Sequence, residues 1–348
     1  MIEFKHSPKS LCIFRLSAIG DVTHILPVIH TLKKVWPETK ITWVIGQVEY
    51  ELVKTLPEVE FILFNKSAGW RAFMELRRHL KGRQFEILLM MQAALRASIA
   101  SLFIPARYKL GFDRQRTIDF QWLFSNQKIN GNHRIRVLDS YFQFLQALGI
   151  EEKVYTWDLP VSESDQHFAV EVLGGKRCAV INPCSSTRSN NWRNWDKNRY
   201  AEIVDYLHSR GLRVLITGGP SRSEMNFCQS IIDLCQSSPN NMAGQTTLGQ
   251  LLALLGAAEL VIAPDTGPAH MATIVDTPVI GLFASSNPAR TGPYKSQDIL
   301  VNCYAQALLK YNHKTPEQAR WGERVRHPEV MDLIGVDAVK QAIDRLLT

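Results

Sequence analysis

Short apolar runs alternate along this chain with segments whose apolar residues recur every three or four positions. The first run, Leu11 to Leu16, reads as a buried strand. The segment after it carries Ile25, Val28, Ile29, Leu32 and Val35 in the i, i+3, i+4, i+7 spacing of an amphipathic helix. Further strands are expected at 41–45, 61–64, 87–91 and 108–112, with helices near 47–55, 69–80 and 93–103. A long amphipathic helix over about 134–148 stops at Gly149, a C-cap glycine. A polar link, 151–165, precedes a second round. It opens with a strand at 178–182 and a helix marked by Tyr200, Ile203, Val204 and Leu207, closed by Gly211. Strands at 213–217, 260–263 and 278–283 then alternate with helices near 221–235 and 247–257. A last helix, about 335–347, has an apolar stripe at Val336, Val339, Ile343 and Leu347. Strands alternating with helices predict parallel sheets built from βαβ units, and two rounds predict two such domains.

Composition narrows the class. A chain of 348 residues with 45% hydrophobic and 21% charged residues has room for two ordinary cores and is not a disordered chain. The cysteines at 12, 178, 184, 228, 235 and 303 are scattered without a CxxC pair, which suits a reducing compartment and not a structural zinc site. The opening MIEFKHSPKS shows no signal peptide, and the most apolar stretch, 87–104, is interrupted by Gln92 and Arg96. The expectation is a cytoplasmic protein. A net charge of +7 favours an anionic partner: a nucleotide, a nucleic acid or an anionic lipid surface. No basic run interleaved with aromatics and no helix-turn-helix pattern is present, so nucleic acid is disfavoured.

Four loops carry the chemistry, each following an apolar strand. In APDTGPAH, 263–270, an acid, a hydroxyl, a glycine and an imidazole sit between a strand end and a helix start, where open α/β sheets bind ligands. Asp265 can hold a sugar hydroxyl. Thr266 and Gly267 offer groups to a diphosphate, and His270 can donate to phosphate or sugar. The bland alternative is a capped turn. In LSAIGD, 16–21, Asp21 is either an N-cap carboxylate or a base for a hydroxyl nucleophile. In INPCSSTRSNNWRNW, 181–195, Ser185 and Ser186 can bind phosphate oxygens and Arg193 a leaving pyrophosphate, while the tryptophans pack. In ITGGPSRSE, 216–224, Gly218 and Gly219 free a turn and Glu224 can accept from a ribose hydroxyl; a simple tight turn reads equally well.

The absent motifs point the same way. There is no GxGxxG after the first strand, no GxxxxGK[ST] loop, no GxSxG elbow and no DxD pair. These exclude or disfavour a dinucleotide oxidoreductase, a P-loop NTPase, an α/β hydrolase and a metal-binding acid pair, respectively.

LSAIGD, NPCSS…NNWRNW, TGGPSRSE and PDTGPAH, in that order over nearly the whole chain, resemble the ADP-heptose:lipopolysaccharide heptosyltransferases, glycosyltransferase family 9. KSLCIFRLSAIGDVTH, ITWVIG, LRASIASL and NPARTGPY look most like the heptosyltransferase I subgroup of the type acting on phosphorylated Kdo. The resemblance implies a GT-B fold: two Rossmann-like, doubly wound domains facing across a cleft, with the C-terminal helix returning to the first. The corresponding domains are an acceptor-binding 1–165 with the helix 330–348, and an ADP-sugar-binding 166–329. It further implies inverting, metal-independent transfer of heptose from ADP-heptose to Kdo-lipid A, with no cofactor, at the cytoplasmic face of the inner membrane. Asp21 would be the general base. Ser185, Ser186 and Arg193 would contact the diphosphate, Glu224 the ribose and Thr246 the adenine side. Asp265 would hold heptose hydroxyls, with Thr266, Gly267 and His270 completing the donor pocket. Arg96, Arg114 and Arg116 are candidate acceptor contacts, or a solvated basic face. The chain departs from the common family pattern in having Arg193 where many members have lysine and in extra residues before it, so Ser185 and Thr187 are both open as phosphate ligands. Transfer of a later core heptose, and nucleotide-sugar binding without catalysis, are the competing readings.

Overall fold

The computed structural model of the chain describes residues 6–114, 116, 119–185 and 191–347. It divides into two compact units, Met1–Pro160 and Val161–Thr348. The first holds β1 (Ser10–Phe14), β2 (Lys40–Gly46), β3 (Val59–Phe64), β4 (Phe85–Met90), β5 (Ala106–Gly111) and β6 (Gln127–Lys128), in the order β3-β2-β1-β4-β5-β6. The second holds β7 (Cys178–Ile181), β8 (Arg213–Ile216), β9 (Asn240–Asn241), β10 (Leu260–Pro264), β11 (Val279–Phe283) and β12 (Val301–Asn302), in the order β12-β11-β10-β7-β8-β9. Every pairing is parallel.

Central strands of such sheets are covered on both faces, which is why they read as unbroken apolar runs. Leu11 to Phe14 and Cys178 to Ile181 are fully buried. The helix Ile25–Val35 turns Ile25, Leu26, Val28, Ile29 and Leu32 inward, and the helix Lys197–Ser209 does the same with Tyr200, Ile203, Val204 and Leu207. Strand order then decides where a ligand can sit. From β1 the chain builds outward to β3 and comes back to place β4 on the other side of β1. From β7 it builds outward to β9 and comes back to place β10 on the other side of β7. The loops after β1 and β4, and those after β7 and β10, therefore flank the switch point of each sheet, where a crevice opens at the carboxyl ends of the strands.

The expected strands and helices form with ends shifted by up to three residues. Besides the four-residue helices Pro288–Thr291 and Tyr304–Ala307, the longer helix Glu163–Leu173 escaped the sequence reading; it begins inside the segment taken as a polar link. It buries only Ala169 and Leu173, so its stripe is too thin to stand out, although Ser162 caps it by accepting the Asp165 N–H. The two-residue strands β6, β9 and β12 are too short to carry any period.

Val336–Leu347 packs against Lys197–Ser209 in the second unit, burying Val339, Ala342 and Ile343 in the cluster that also holds Trp195, Tyr200 and Leu207. Tyr206 donates to Asp344 at 2.6 Å, Lys340 pairs with Glu202 at 2.6 Å, and the Trp195 indole donates to the Ile334 carbonyl at 3.1 Å. The apolar stripe thus closes the core of its own unit. Ile343→Ala is expected to lower the stability of the protein by about 3 kcal/mol, read from the midpoint of urea unfolding at unchanged slope.

Candidate active site

In the first unit, Asp21 occupies the third position of the short helix Ile19–Thr23, directly beyond β1. Its Oδ2 accepts the Ala18 N–H at 3.3 Å and is ion-paired with Arg15. The carboxylate is one-third exposed, while the Arg15 side chain is 10% exposed. Arg15 also donates to the Met91 carbonyl and stacks 5.6 Å over the Tyr141 ring. Burial works against the guanidinium charge, but Asp21, with Tyr141 and Glu49, more than offsets it and raises the Arg15 pKa above its usual value. The loop is fastened from the neighbouring strand end. Gln92, just after β4, accepts the Leu16 N–H at 2.7 Å and donates to the Ser17 hydroxyl at 3.2 Å. Gln121 in turn donates to the carbonyls of Met90 and Gln92. Gly46, at the end of β2, donates to the Leu16 carbonyl at 3.1 Å; a Cβ there would lie 2.4 Å from that same oxygen. The approach of the two backbones requires a residue without a side chain. Asp21 is therefore a helix-start ligand and, at the same time, a half-open carboxylate against a buried cation.

The three arginines proposed as acceptor contacts differ in setting. Arg96 is exposed and donates to the Lys66 carbonyl at 2.8 Å; Arg114 is exposed and stacks 4.4 Å over Trp122. Arg116 is turned inward, 11% exposed, and is engaged by Asp113 and Gln143.

In the second unit four loops share the carboxyl edge of the parallel sheet. After β10, Asp265 is buried beside Thr266, which caps the helix Gly267–Ile274. The Thr266 hydroxyl lies 3.5 Å from the Ala269 N–H, and Pro268 has no N–H to offer. After β7, Arg193 reaches across to donate to the Asp265 carbonyl at 2.7 Å and stands 3.5 Å from its Oδ2. The His270 Nε2 lies 3.9 Å from the Asp265 Oδ1. Burial alone would raise the Asp265 pKa, yet His270, Arg193 and Ser286 hold it down at about 2. Asp265 Oδ2 nevertheless accepts no hydrogen bond among the described residues, and neither does the buried Oδ1 of Asn182 at the end of β7. Buried acceptors left open at a strand end are what a ligand rich in hydroxyls needs.

Ser185 is held by an asparagine hub: its hydroxyl bonds Asn191 at 2.8 Å and its N–H bonds Asn194 at 3.1 Å, while Asn191 also receives the Arg193 N–H. Ser186 and Thr187 lie outside the described residues. After β8, Glu224 turns back from the first turn of Arg222–Ile232 and accepts the Gly219 N–H at 2.7 Å. The loop after β9 is tied to that turn by Gly244 donating to Gly218 at 2.9 Å, which brings half-buried Thr246 to the same edge. The structure therefore gathers Ser185, Arg193, Asp265, Thr266, Gly267 and His270 closely, with Glu224 and Thr246 farther along the edge.

Arg15, Gln92, Ser286 and the Asn191–Asn194 hub were not singled out from sequence. Arg15 alone left a signal, as a charge at the end of a run that had to be buried.

Comparison with known proteins gives this geometry its lineage. Residues 73–319 match the family described as glycosyltransferase family 9 (heptosyltransferase). The chain is 38% identical over 337 residues to the lipopolysaccharide core heptosyltransferase OpsX of Haemophilus influenzae, spanning 97% of this chain and 96% of that one. The chain belongs to glycosyltransferase family 9. Among solved structures, its fold matches a glycosyl transferase family 9 protein from Veillonella parvula with a TM-score of 0.78 at 19% identity, over 97% of both chains. It also matches the E. coli heptosyltransferase WaaC with ADP-2-deoxy-2-fluoro heptose, with a TM-score of 0.69 at 18% identity, over 97% of this chain and 99% of that one. Two Rossmann-type sheets of the GT-B kind are thus the fold of this family-9 enzyme.

The depressed pKa of Asp265 makes a statement about acid stability. Its folded value, about 2, lies below the ordinary 3.8, so its contribution is complete above about pH 4 and is lost as pH falls towards 2. Asp265→Asn should lower stability by about 2 kcal/mol at neutral pH, with the gap from wild type closing over that acid window in urea titrations.

Proposed function

We propose that this family-9 glycosyltransferase moves L-glycero-D-manno-heptose from ADP-heptose to a Kdo residue of Kdo-lipid A, with inversion and without a metal ion. The observation that carries the donor half is the buried Asp265 carboxylate, kept ionised by Arg193 and His270 with Oδ2 open, next to the capped start of Gly267–Ile274. That arrangement suits a sugar hydroxyl on the acid and a diphosphate on the helix start and guanidinium. The relatives' names, a lipopolysaccharide core heptosyltransferase and a heptosyltransferase holding an ADP-heptose analogue, support the same reading. The sequence segments shared with heptosyltransferase I support Kdo as the acceptor.

In the proposed reaction the acceptor hydroxyl oxygen attacks the anomeric carbon as the bond from that carbon to the diphosphate oxygen breaks. The bonding electrons leave with ADP, and the acceptor proton passes to Asp21. Charge grows on the diphosphate, where Arg193, the N–H groups at the start of Gly267–Ile274 and the hydroxyls of Ser185 and Thr266 would stabilise it. His270 would donate to a phosphate or sugar oxygen. Glu224 has one oxygen on Gly219 and the other for the ribose, and Thr246 lies on the adenine side. Ser186 would join the diphosphate ligands. Arg96 and Arg114 would meet the anionic acceptor; Arg116 would act there by bracing the Asp113 segment.

Asp21→Asn is expected to retain ADP-heptose binding by calorimetry and to lose about a thousandfold in transfer to Kdo-lipid A. Transfer by the wild type should persist in EDTA. Near-normal turnover by the variant removes Asp21 from the base role, dependence on added metal removes the metal-free reaction, and preference for an already heptosylated core moves the acceptor one step outward. Arg15→Met takes a cation from beside Asp21. An opposite charge favours the ionised carboxylate, so the acid limb of the kcat/KM profile should move to higher pH in this variant.

A further inference from the structure

The helix Trp70–His79 buries Ala72, Phe73 and Leu76 and leaves a second apolar stripe facing outward. Trp70 is 64% exposed and Met74, one turn on, 46% exposed. The stripe continues through ring contacts: Trp70 meets Phe73 at 5.4 Å and Phe103 at 6.1 Å, and Leu102, next to Phe103, is 59% exposed. Soluble proteins rarely leave a tryptophan, a methionine and a leucine together in water unless the patch is used.

The charge around this stripe is predominantly positive. On a helical wheel Arg77 flanks Trp70 on one side, and Arg78 and Arg71 flank Met74 on the other. All three are exposed, and none forms an ion pair or side-chain hydrogen bond among the described residues. Glu75, the only acid on this helix, lies on the far flank beside His79. Several other basic groups of this unit are paired with carboxylates: Arg15 with Asp21, Lys66 with Glu49, Arg83 with Glu60, Arg116 with Asp113. Three guanidinium groups against one carboxylate, Glu75, one turn from Arg71, leave this helix surface with a net positive charge.

We propose that this face, Trp70, Arg71, Met74, Arg77, Arg78 and Leu102, seats the enzyme on an anionic lipid bilayer. Indole, thioether and leucine side chains sink to the boundary of headgroups and acyl chains, where tryptophan is favoured, and the arginines meet lipid phosphates. A bilayer answers the two features together: it accepts an apolar stripe a few residues wide and presents many negative charges that need no fixed register. A folded protein partner would have to supply complementary carboxylates in a defined pattern around a flat helical face. The proposal agrees with a lipid-borne acceptor but rests for its evidence on the face itself. No helix among the described residues is long and apolar enough to cross a membrane.

The test is flotation of the purified full chain with vesicles that contain no acceptor, so its outcome is independent of the transfer reaction. The chain should float with phosphatidylglycerol-rich vesicles and stay behind with phosphatidylcholine alone, and high salt should release it. The triple variant Arg71→Gln, Arg77→Gln, Arg78→Gln should bind the anionic vesicles about a hundredfold more weakly, each arginine near the surface being worth somewhat less than tenfold. Because these side chains are exposed, its melting temperature and its turnover on a delipidated acceptor should match wild type. Met74→Ser supplies a second, apolar probe that leaves the Trp70–Phe73 packing in place and should also weaken flotation. Equal binding to neutral and anionic vesicles, no binding to either, or anionic binding that survives the triple substitution would overturn the proposal.

Discussion

A carboxylate can stay ionised inside a protein only if cations and donors replace the water it has lost. Asp265 meets that condition through Arg193, His270 and Ser286, and the rest of the second unit's site is arranged around it. Arg193 can reach Asp265 only because β7 and β10 are neighbours, which sets the loops after them side by side. The asparagine hub shapes the Arg193 loop by receiving its N–H and that of Ser185. One oxygen of the acid accepts no hydrogen bond among the described residues.

The same device recurs in the first unit with the roles exchanged. There the cation, Arg15, is buried and the acid, Asp21, is half-open. Gln92 from the adjacent strand end fastens the loop, as β1 and β4 are neighbours across that sheet's switch point. Gly46 then admits the loop backbone at a distance no side chain allows. In both units the parallel strand order, not the individual motif, brings a charged group from one crossover against a polar group from the next. A Rossmann-type sheet is built to do this wherever its strand order reverses.

The chain's positive balance is also divided by use. Many of its basic groups are spent on internal pairs that hold loops in place, such as Arg177 with Glu259 and Lys314 with Glu323. Arg193 serves the site. Those on the outer face of Trp70–His79 are left over, beside apolar side chains that are also left over. A net charge reads only as a preference for anions; its partition among structural, ligand-facing and surface positions gives it meaning.

How much of this was legible beforehand follows from what each feature depends on. The strands at 11–16, 178–182 and 260–263 and the helix at Ile25–Val35 were readable because burial on both faces of a sheet, or on one stripe of a helix, writes itself directly into residue order. The loops with Asp21, Arg193 and Asp265 were readable because they follow such strands. The helix Glu163–Leu173 was not, since two buried residues leave no period, and the seat of Val336–Leu347 was not, since an apolar stripe names a need for a partner without naming the partner. Residue order alone determined the α/β alternation, its two rounds and the loops that follow the buried strands. Tertiary structure alone decided that Arg15 answers Asp21, that Arg193 and His270 hold Asp265 ionised, and that the arginines beside Trp70 form no ion pair among the described residues. Each of those is a contact between crossovers or a contact left unmade, and electrostatic energy depends on distance and burial, which exist only once the chain has folded.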